Sequence, residues 1–408
     1  MQIRTLKEQY EIKDRILKER LDTLVAPLMM ECGIDVWLIP SKEYNEDPIF
    51  EVLTPSGFPT ARRVSILLLH NDDGVLKSYC INMHDHELEK YYTQDWDIKN
   101  ETQFQALKRV LERCNPKTIG LNYSDDFAYC DGLSVGLLNL FKRELPETIT
   151  DKFVSAEMLA IRFLETRSTL EMHYYPEVMA LAMDIINDTY TKEVIKLGKT
   201  TCDDLEWYMK DRVNGLGLTF WFPPTIDVQR STGMFSGDTL IEAGDLVHCD
   251  FGITYLGLCT DTQRLAYITK ITEDKLPDEL RMGMIENSHF QDIVSQSFKV
   301  GKTGNEIFSE ALTIAAQENI QAMLYSHPLG IHGHAAGPTI GLYSDQKPQP
   351  LKGDLKMHQD TAYALELNTC KVIAGYQKPV FFFTEESVLF TKDKVEYLAK
   401  DRTEITVI

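Results

Sequence analysis

Two aspartates, Asp250 and Asp261, stand eleven positions apart in Leu246 to Arg264, LVHCDFGITYLGLCTDTQR. Leu246, Val247, His248 and Cys249 lead as an apolar strand into Asp250-Phe251-Gly252. Ile253, Tyr255, Leu256 and Leu258 lead back to Asp261, a pattern that predicts a β-hairpin with the acids near the ends of neighbouring strands. Buried carboxylates held side by side repel and shift each other's pKa unless a cation lies between them, and a hard divalent metal meets that need. Alone, such a pair reads more readily as turn or surface acids. Ser326-His327-Pro328-Leu329-Gly330-Ile331-His332-Gly333-His334 then gathers three of the ten histidines. An imidazole beside carboxylates favours Mn, Fe, Co or Zn over Mg or Ca, although the same loop equally suits histidines facing water. Glu366 sits in the apolar run Ala362 to Leu367, where a glutamate must be paired, protonated or metal-bound. Glu385-Glu386, in the strand-like run Val380 to Phe390, offers one further ligand and one neighbour. The order Asp, Asp, His, Glu, Glu is far more specific than any one member.

The elements that must position these residues fall into two regions. Residues 5 to 31 carry Leu6, Tyr10, Ile12, Ile16, Leu17, Leu21, Leu24 and Leu28 at helical spacing, which predicts a long amphipathic helix. Strands are expected at 34–39, 64–69 and 76–81, the last two joined by a turn at Asn71-Asp72-Asp73-Gly74. Helical patterns at 101–114 and 131–144 flank a strand at 118–121, an α/β arrangement. From about 154 to 197 the pattern is helical, with a break at Thr166-Arg167-Ser168-Thr169 where Ser168 or Thr169 followed by Glu171 resembles a capping box and marks the passage between domains. A helix at 203–214, the apolar Trp221-Phe222-Pro223-Pro224, a helical region near 285–318 and a strand-rich end follow. The division is 1–155, an N-terminal α/β domain, and 156–408, the domain holding the candidate residues.

At 408 residues and 43% apolar content the chain can fill the cores of two or three domains. A formal net charge of -20 argues against nucleic acid and anionic membrane surfaces as partners. The eight cysteines form no C-x-x-C pair, which suits reduced thiols in a cytoplasmic protein. The first twenty residues are charged throughout, without the apolar core of a signal peptide, and no stretch is apolar for long enough to span a bilayer.

The order and local motifs resemble the M24 metallopeptidase superfamily of methionine aminopeptidase, aminopeptidase P, prolidase and creatinase. Asp250-Phe251-Gly252 through Asp261 resembles its Asp-x-Gly segment ending in a second Asp; Ser326-His327-Pro328-Leu329-Gly330 resembles its Ser-His-x-Leu-Gly motif; Glu366 stands where its Val-Glu-Pro glutamate stands; Glu385-Glu386-x-Val-Leu-x-Thr391 is similar to its closing motif. The resemblance implies a creatinase-like α/β N-terminal domain and an α+β pita-bread catalytic domain. It implies two divalent metals, manganese first and cobalt, zinc or iron as alternatives, with Asp250 on one, His327 and Glu366 on the other, and Asp261 and Glu385 bridging. Glu366 would shuttle a proton and His334 would assist the oxyanion, while His332 matches no family position. The implied activity is that of an Xaa-Pro aminopeptidase or prolidase acting on a small peptide or amide, in a homodimer.

The metal set is intact and the substrate set is altered. The family's peptidases carry a further histidine upstream of the first metal aspartate, yet no histidine lies between His173 and His248. Phe383 stands where an arginine usually precedes the final glutamate, Asp-x-Thr-Arg becomes Asp261-Thr262-Gln263-Arg264, and no proline follows Glu366. A lyase or amidohydrolase of the same fold acting on a non-peptide substrate is therefore the principal alternative, ahead of a non-catalytic peptide-binding module.

Overall fold

The helical spacing of residues 5 to 31 produces one helical run that is not uniform. Leu6–Arg20 and Ala26–Glu31 are α-helical, and Leu21–Val25 between them forms a π turn. The computed structural model describes residues 3–273, 275–392 and 394–408, and contains two compact units, Arg4–Leu164 and Glu165–Ile408. The division falls after Leu164, where the sequence reading divides after residue 155. The helix Glu157–Glu165 accounts for the difference: Phe163 lies edge-on to Trp37 with ring centroids 5.5 Å apart, and Arg162 pairs with Glu31 at 2.8 Å, both within the first unit.

In that unit β1 (Val36–Lys42), β2 (Val64–Asp72), β3 (Val75–Cys80), β4 (Thr93–Gln94), β5 (Ile119–Leu121) and β6 (Phe153–Ser155) form one sheet in the order β4-β3-β2-β1-β5-β6. The β2–β3 hairpin closes on Asp73-Gly74, both with positive φ, the backbone that a two-residue hairpin turn requires. Val36, Leu38, Ile66 and Leu68 pack against Leu107 and Val110 of the helix Gln103–Cys114 and Leu137 and Phe141 of the helix Val135–Glu144. This is the expected α/β arrangement.

The second unit begins with the capping box read in the sequence: Ser168 caps the helix Thr169–Thr189, and the Ser168 amide donates to the Glu171 carboxylate at 2.6 Å. Its strands are β7 (Thr219–Phe220), β8 (Thr225–Arg230), β9 (Gly233–Ser236), β10 (Leu246–Phe251), β11 (Ile253–Tyr255), β12 (Leu258–Cys259), β13 (Thr262–Tyr267), β14 (Ala322–Leu324), β15 (His327–Leu329), β16 (Thr361–Lys371), β17 (Val380–Thr391), β18 (Lys394–Tyr397) and β19 (Thr406–Val407). The main sheet runs β14-β16-β17-β13-β10-β8-β9, with β15 on β16, while β12-β11-β7 form a separate small sheet. The expected hairpin around the two aspartates is thus two structures: β10 pairs with β13, and the chain between them leaves to pair with itself.

The helical region near 285–318 is two helices, Asp278–Ser297 and Gly304–Gln317. They cover one face of the main sheet, where Phe290, Val294, Ile307 and Phe308 meet Leu365, Leu367, Val388 and Phe390. Strand alternation turns Glu366 and Glu385 to the opposite face. Among the described residues no helix is long and apolar enough to cross a membrane.

Arg264 and Glu386, one position beyond Gln263 and Glu385, tie β13 to β17. The guanidinium grips the carboxylate through two hydrogen bonds of 2.8 and 2.9 Å and also donates to the Glu385 carbonyl at 3.1 Å. Both side chains are buried, so removing one partner strands the other's charge. Glu386→Ala is expected to lower unfolding free energy by about 3–5 kcal/mol in urea denaturation, and a loss well under that range would show that the backbone carbonyls alone satisfy Arg264.

Candidate metal centre

Register decides which side chains meet. Asp250 on β10 lies opposite Gln263 on β13, Gln263 opposite Glu385 on β17, and Glu385 opposite Glu366 on β16. Directly opposed residues of antiparallel strands share a face, so these four form one rung across the sheet. Asp261 stands two residues before Gln263 and takes the same side. His327 on β15 lies opposite Ala364, two residues before Glu366. The five residues singled out in the sequence are brought to one face of the sheet from distant segments, and Asp261, His327 and Glu385 come closest together.

Ligand atoms of Asp261, His327 and Glu385 lie within 4.8 Å of one another. His327 Nε2 is 3.4 Å from Asp261 Oδ2 and 3.7 Å from Glu385 Oε1. Its Nδ1 lies 3.0 Å from the Pro328 carbonyl, which accepts a proton only from that nitrogen and so leaves the Nε2 of a neutral ring free to ligate. Asp250 Oδ1, Asp261 Oδ1 and Glu385 Oε1 are buried and accept no hydrogen bond. Orphaned carboxylate oxygens beside an imidazole nitrogen are costly by themselves and fit a divalent cation that takes both oxygen and nitrogen donors.

The electrostatics show the same strain. Burial, then the Asp261 charge, pushes Asp250 up to about 7. Burial also pushes Glu366 up to about 8, with His327 opposing and Asp261 adding to the rise. Glu385 is held well above the usual carboxylate range by burial, Asp261, Glu366 and Asp250. For His327 burial pulls downward, but the hydrogen bond and charge of Asp261 outweigh it and the pKa is raised.

His334 stands beside this cluster, its ring centroid 4.6 Å from that of His327 and 5.1 Å from that of Trp221. Burial and the neighbouring His327 lower its pKa, so it is neutral near pH 7 and can donate one N–H. Trp221, read as core or pocket lining, holds this corner. Its indole donates to the Thr260 carbonyl at 2.8 Å, and a Cβ on Gly333 would come within 2.1 Å of its ring. His332 is drawn down to about 4 by burial and by Arg167. Where the family arginine is missing, Phe383 stacks on Phe381 at 5.6 Å and lies 5.2 Å from the His248 ring.

Sequence reasoning missed a second layer. Gln263 donates to Glu366 and Glu385, His248 contacts Gln263, and Asp227 contacts His248. The signal available was that His248 precedes Asp250 by two residues on one strand and must share its face.

The model of metallopeptidase family M24 matches residues 177–380, half of the chain. The chain belongs to metallopeptidase family M24. The matched span of this M24 chain holds Asp250, Asp261, His327, His334 and Glu366 and stops short of Glu385. As a member of a family that uses divalent metals, it is a metallohydrolase by class. Its fold is similar to that of an X-Pro aminopeptidase from Thermotoga maritima MSB8 (18% identity, TM-score 0.66, 94% of this chain and 100% of the other covered). It is also similar to an Xaa-Pro dipeptidase from Bacillus anthracis (16%, 0.62, 99% and 100%) and a prolidase from Pyrococcus furiosus (17%, 0.56, 92% and 99%). No curated protein matches the M24 chain in sequence.

The raised carboxyl pKa values fix a sign. A carboxyl whose folded pKa exceeds its unfolded value lets the folded state hold more protons, so stability falls as pH climbs from the ordinary carboxylate range, about 4, to the folded values. With Asp250 near 7 and Glu366 near 8, chelator-treated protein is expected to lose melting temperature steadily between pH 5 and pH 8. Added Mn²⁺ should raise it most at pH 8, where the ligands are deprotonated. A metal-free melting temperature that is flat or rising across this window would contradict the strain ascribed to these acids.

Proposed function

We propose that this M24 chain is a peptidase of the Xaa-Pro aminopeptidase or prolidase type, cleaving the amide bond of a small peptide at a dinuclear metal site. The observation that carries the reading is the gathering of ligand atoms of Asp261, His327 and Glu385 within 4.8 Å of one another, two of these acids with an orphaned oxygen, on the sheet face that Asp250 and Glu366 share. Asp250 would hold one ion, His327 and Glu366 the other, with Asp261 and Glu385 shared; manganese is the ion proposed first, and cobalt, zinc or iron suit the same donors. Two such cations, when bound, supply hydroxide at neutral pH and polarise the scissile carbonyl.

The chain's own residues do the rest. Glu366, whose carboxyl is pushed up to about 8 by burial, passes a proton to the departing nitrogen. His334 donates its N–H to the carbonyl oxygen as negative charge develops there. Trp221 keeps that imidazole in place through ring contact. Phe381 and Phe383 present an apolar wall on the glutamate face of β17. That wall favours one second reading, an amidohydrolase or lyase of the same fold acting on a non-peptide substrate.

A homodimer, as the resemblance implies, belongs to the same proposal and is checked by light scattering. A cytoplasmic site is supported by eight cysteines that are all free thiols.

Protein purified without chelator is expected to carry, or to take up on reconstitution, two transition metals per chain. Asp261→Ala or His327→Ala should lose metal and activity together. His334→Ala should keep the metal and lose about 10²-fold or more in kcat. Xaa-Pro peptides, Xaa-Pro dipeptides and non-proline amides assayed side by side separate the two peptidase types from the amidohydrolase; an unsaturated product released without water uptake would replace the hydrolase with a lyase.

A further inference from the structure

One position in the rung of acids is not an acid. Gln263 sits between Asp250 and Glu385 in register, and its Nε2 donates to Glu366 Oε1 at 2.6 Å and to Glu385 Oε2 at 3.3 Å. Its Oε1 lies 3.0 Å from His248 Nε2, and His248 Nδ1 lies 2.7 Å from Asp227 Oδ2. His248 is opposite Asp227 in the β10–β8 pairing, so neighbouring strands hand the chain of contacts from Asp227 through His248 and Gln263 to both glutamates without a gap.

We propose that Asp227, His248 and Gln263 are positioning residues that set Glu366 and Glu385 for two metal ions. The proposal rests on the dinuclear reading above. A glutamine amide has a donor end and an acceptor end, and turning it over exchanges them. If the carbonyl end faced the two glutamates, lone pairs would oppose lone pairs. The two carboxylates only accept, so the N–H end of the amide faces them and its Oε1 faces His248; with Asp227 accepting from Nδ1–H and Oε1 accepting from Nε2–H, the His248 ring carries both protons, an imidazolium paired with the Asp227 carboxylate. The amide then presents both N–H groups to the carboxylates, each of which keeps an oxygen for metal. A glutamate carboxylate is carried on a flexible stem, so fixing it during folding spares the ion the cost of ordering it. A threonine at position 263, as in the family motif, has one hydroxyl proton and could not bond both glutamates as donor; the long amide is what lets one residue reach both.

Mn²⁺ and Co²⁺ titrated into chelator-stripped full-length protein test this. Gln263→Leu keeps the bulk and removes the amide; it is expected to weaken at least one ion's affinity by about 10–100-fold and to alter the visible spectrum of bound Co²⁺. His248→Leu should give a similar loss, and the double variant no more than either single one. At the far end of the chain, Asp227→Ala should weaken binding and Asp227→Glu, which keeps a carboxylate acceptor, should recover part of it. The Asp227 pair also decides the matter if Gln263→Leu fails to fold. Parent-like affinity and spectrum in Gln263→Leu, additive losses in the double variant, or equal losses in Asp227→Ala and Asp227→Glu would each overturn the positioning role while leaving the metal site standing. A parent protein that binds no ion would overturn the dinuclear reading and this inference with it.

Discussion

Four carboxylates crowded on one face of a sheet repel one another, and the catalytic unit is arranged around holding them there. The register of β10, β13, β17 and β16 places Asp250, Glu385 and Glu366 in one rung, with Asp261 two residues away. A slip of one residue in any of these pairings would turn that strand's acids to the helix-covered face. The buried Arg264–Glu386 pair grips β13 to β17 beside the rung, and the helices Asp278–Ser297 and Gly304–Gln317 press on the opposite side. Packing energy from one face thus maintains an electrostatically unfavourable arrangement on the other, and a cation relieves it.

How much of this could be read in the chain itself depends on the range of the interaction. Ser168 and Glu171 cap a helix from three residues apart, and Asp73-Gly74 closes a hairpin; both are local devices and both were visible. The five candidate ligands were legible because each lies in a distinctive short segment, although their convergence is a matter of pairing between segments more than a hundred residues apart. His248 was hidden among apolar neighbours, and Gln263 registered only as a departure from a motif. Their roles follow from a cross-strand contact that alternation allows but does not specify. The same limit explains the hairpin between the aspartates. Periodicity predicts strands on both sides, yet it cannot tell that the intervening residues pair within a different sheet.

The side chains that border the acids have a common physical character. Rings stand at Phe381, Phe383, Trp221 and Phe222, beside the face that carries the acids and His327. Phe383 on Phe381, and Trp221 against His334, surround the cluster with apolar surface. Such walls lower the local dielectric and strengthen every charge interaction that the acids make.

The excursion between the two aspartates has a consequence for how this protein can change. Ile253–Tyr255 and Leu258–Cys259 close on a tight turn at Leu256-Gly257, both with positive φ, and pair with Thr219–Phe220 rather than with the main sheet. At its far end Cys259 hydrogen-bonds Gly330 and its thiol contacts the Ile331 carbonyl, so this small sheet carries the histidine loop. The placing of Asp250 and Asp261 is set by the β10–β13 pairing and by Ser387 of β17, whose hydroxyl accepts from the Asp261 amide and donates to its carbonyl. Insertions or substitutions in the excursion would therefore shift the loop bearing His332 and His334 without moving the aspartates. The scaffold is modular at this point: substrate preference can drift by mutation while the hydrolytic apparatus stays fixed.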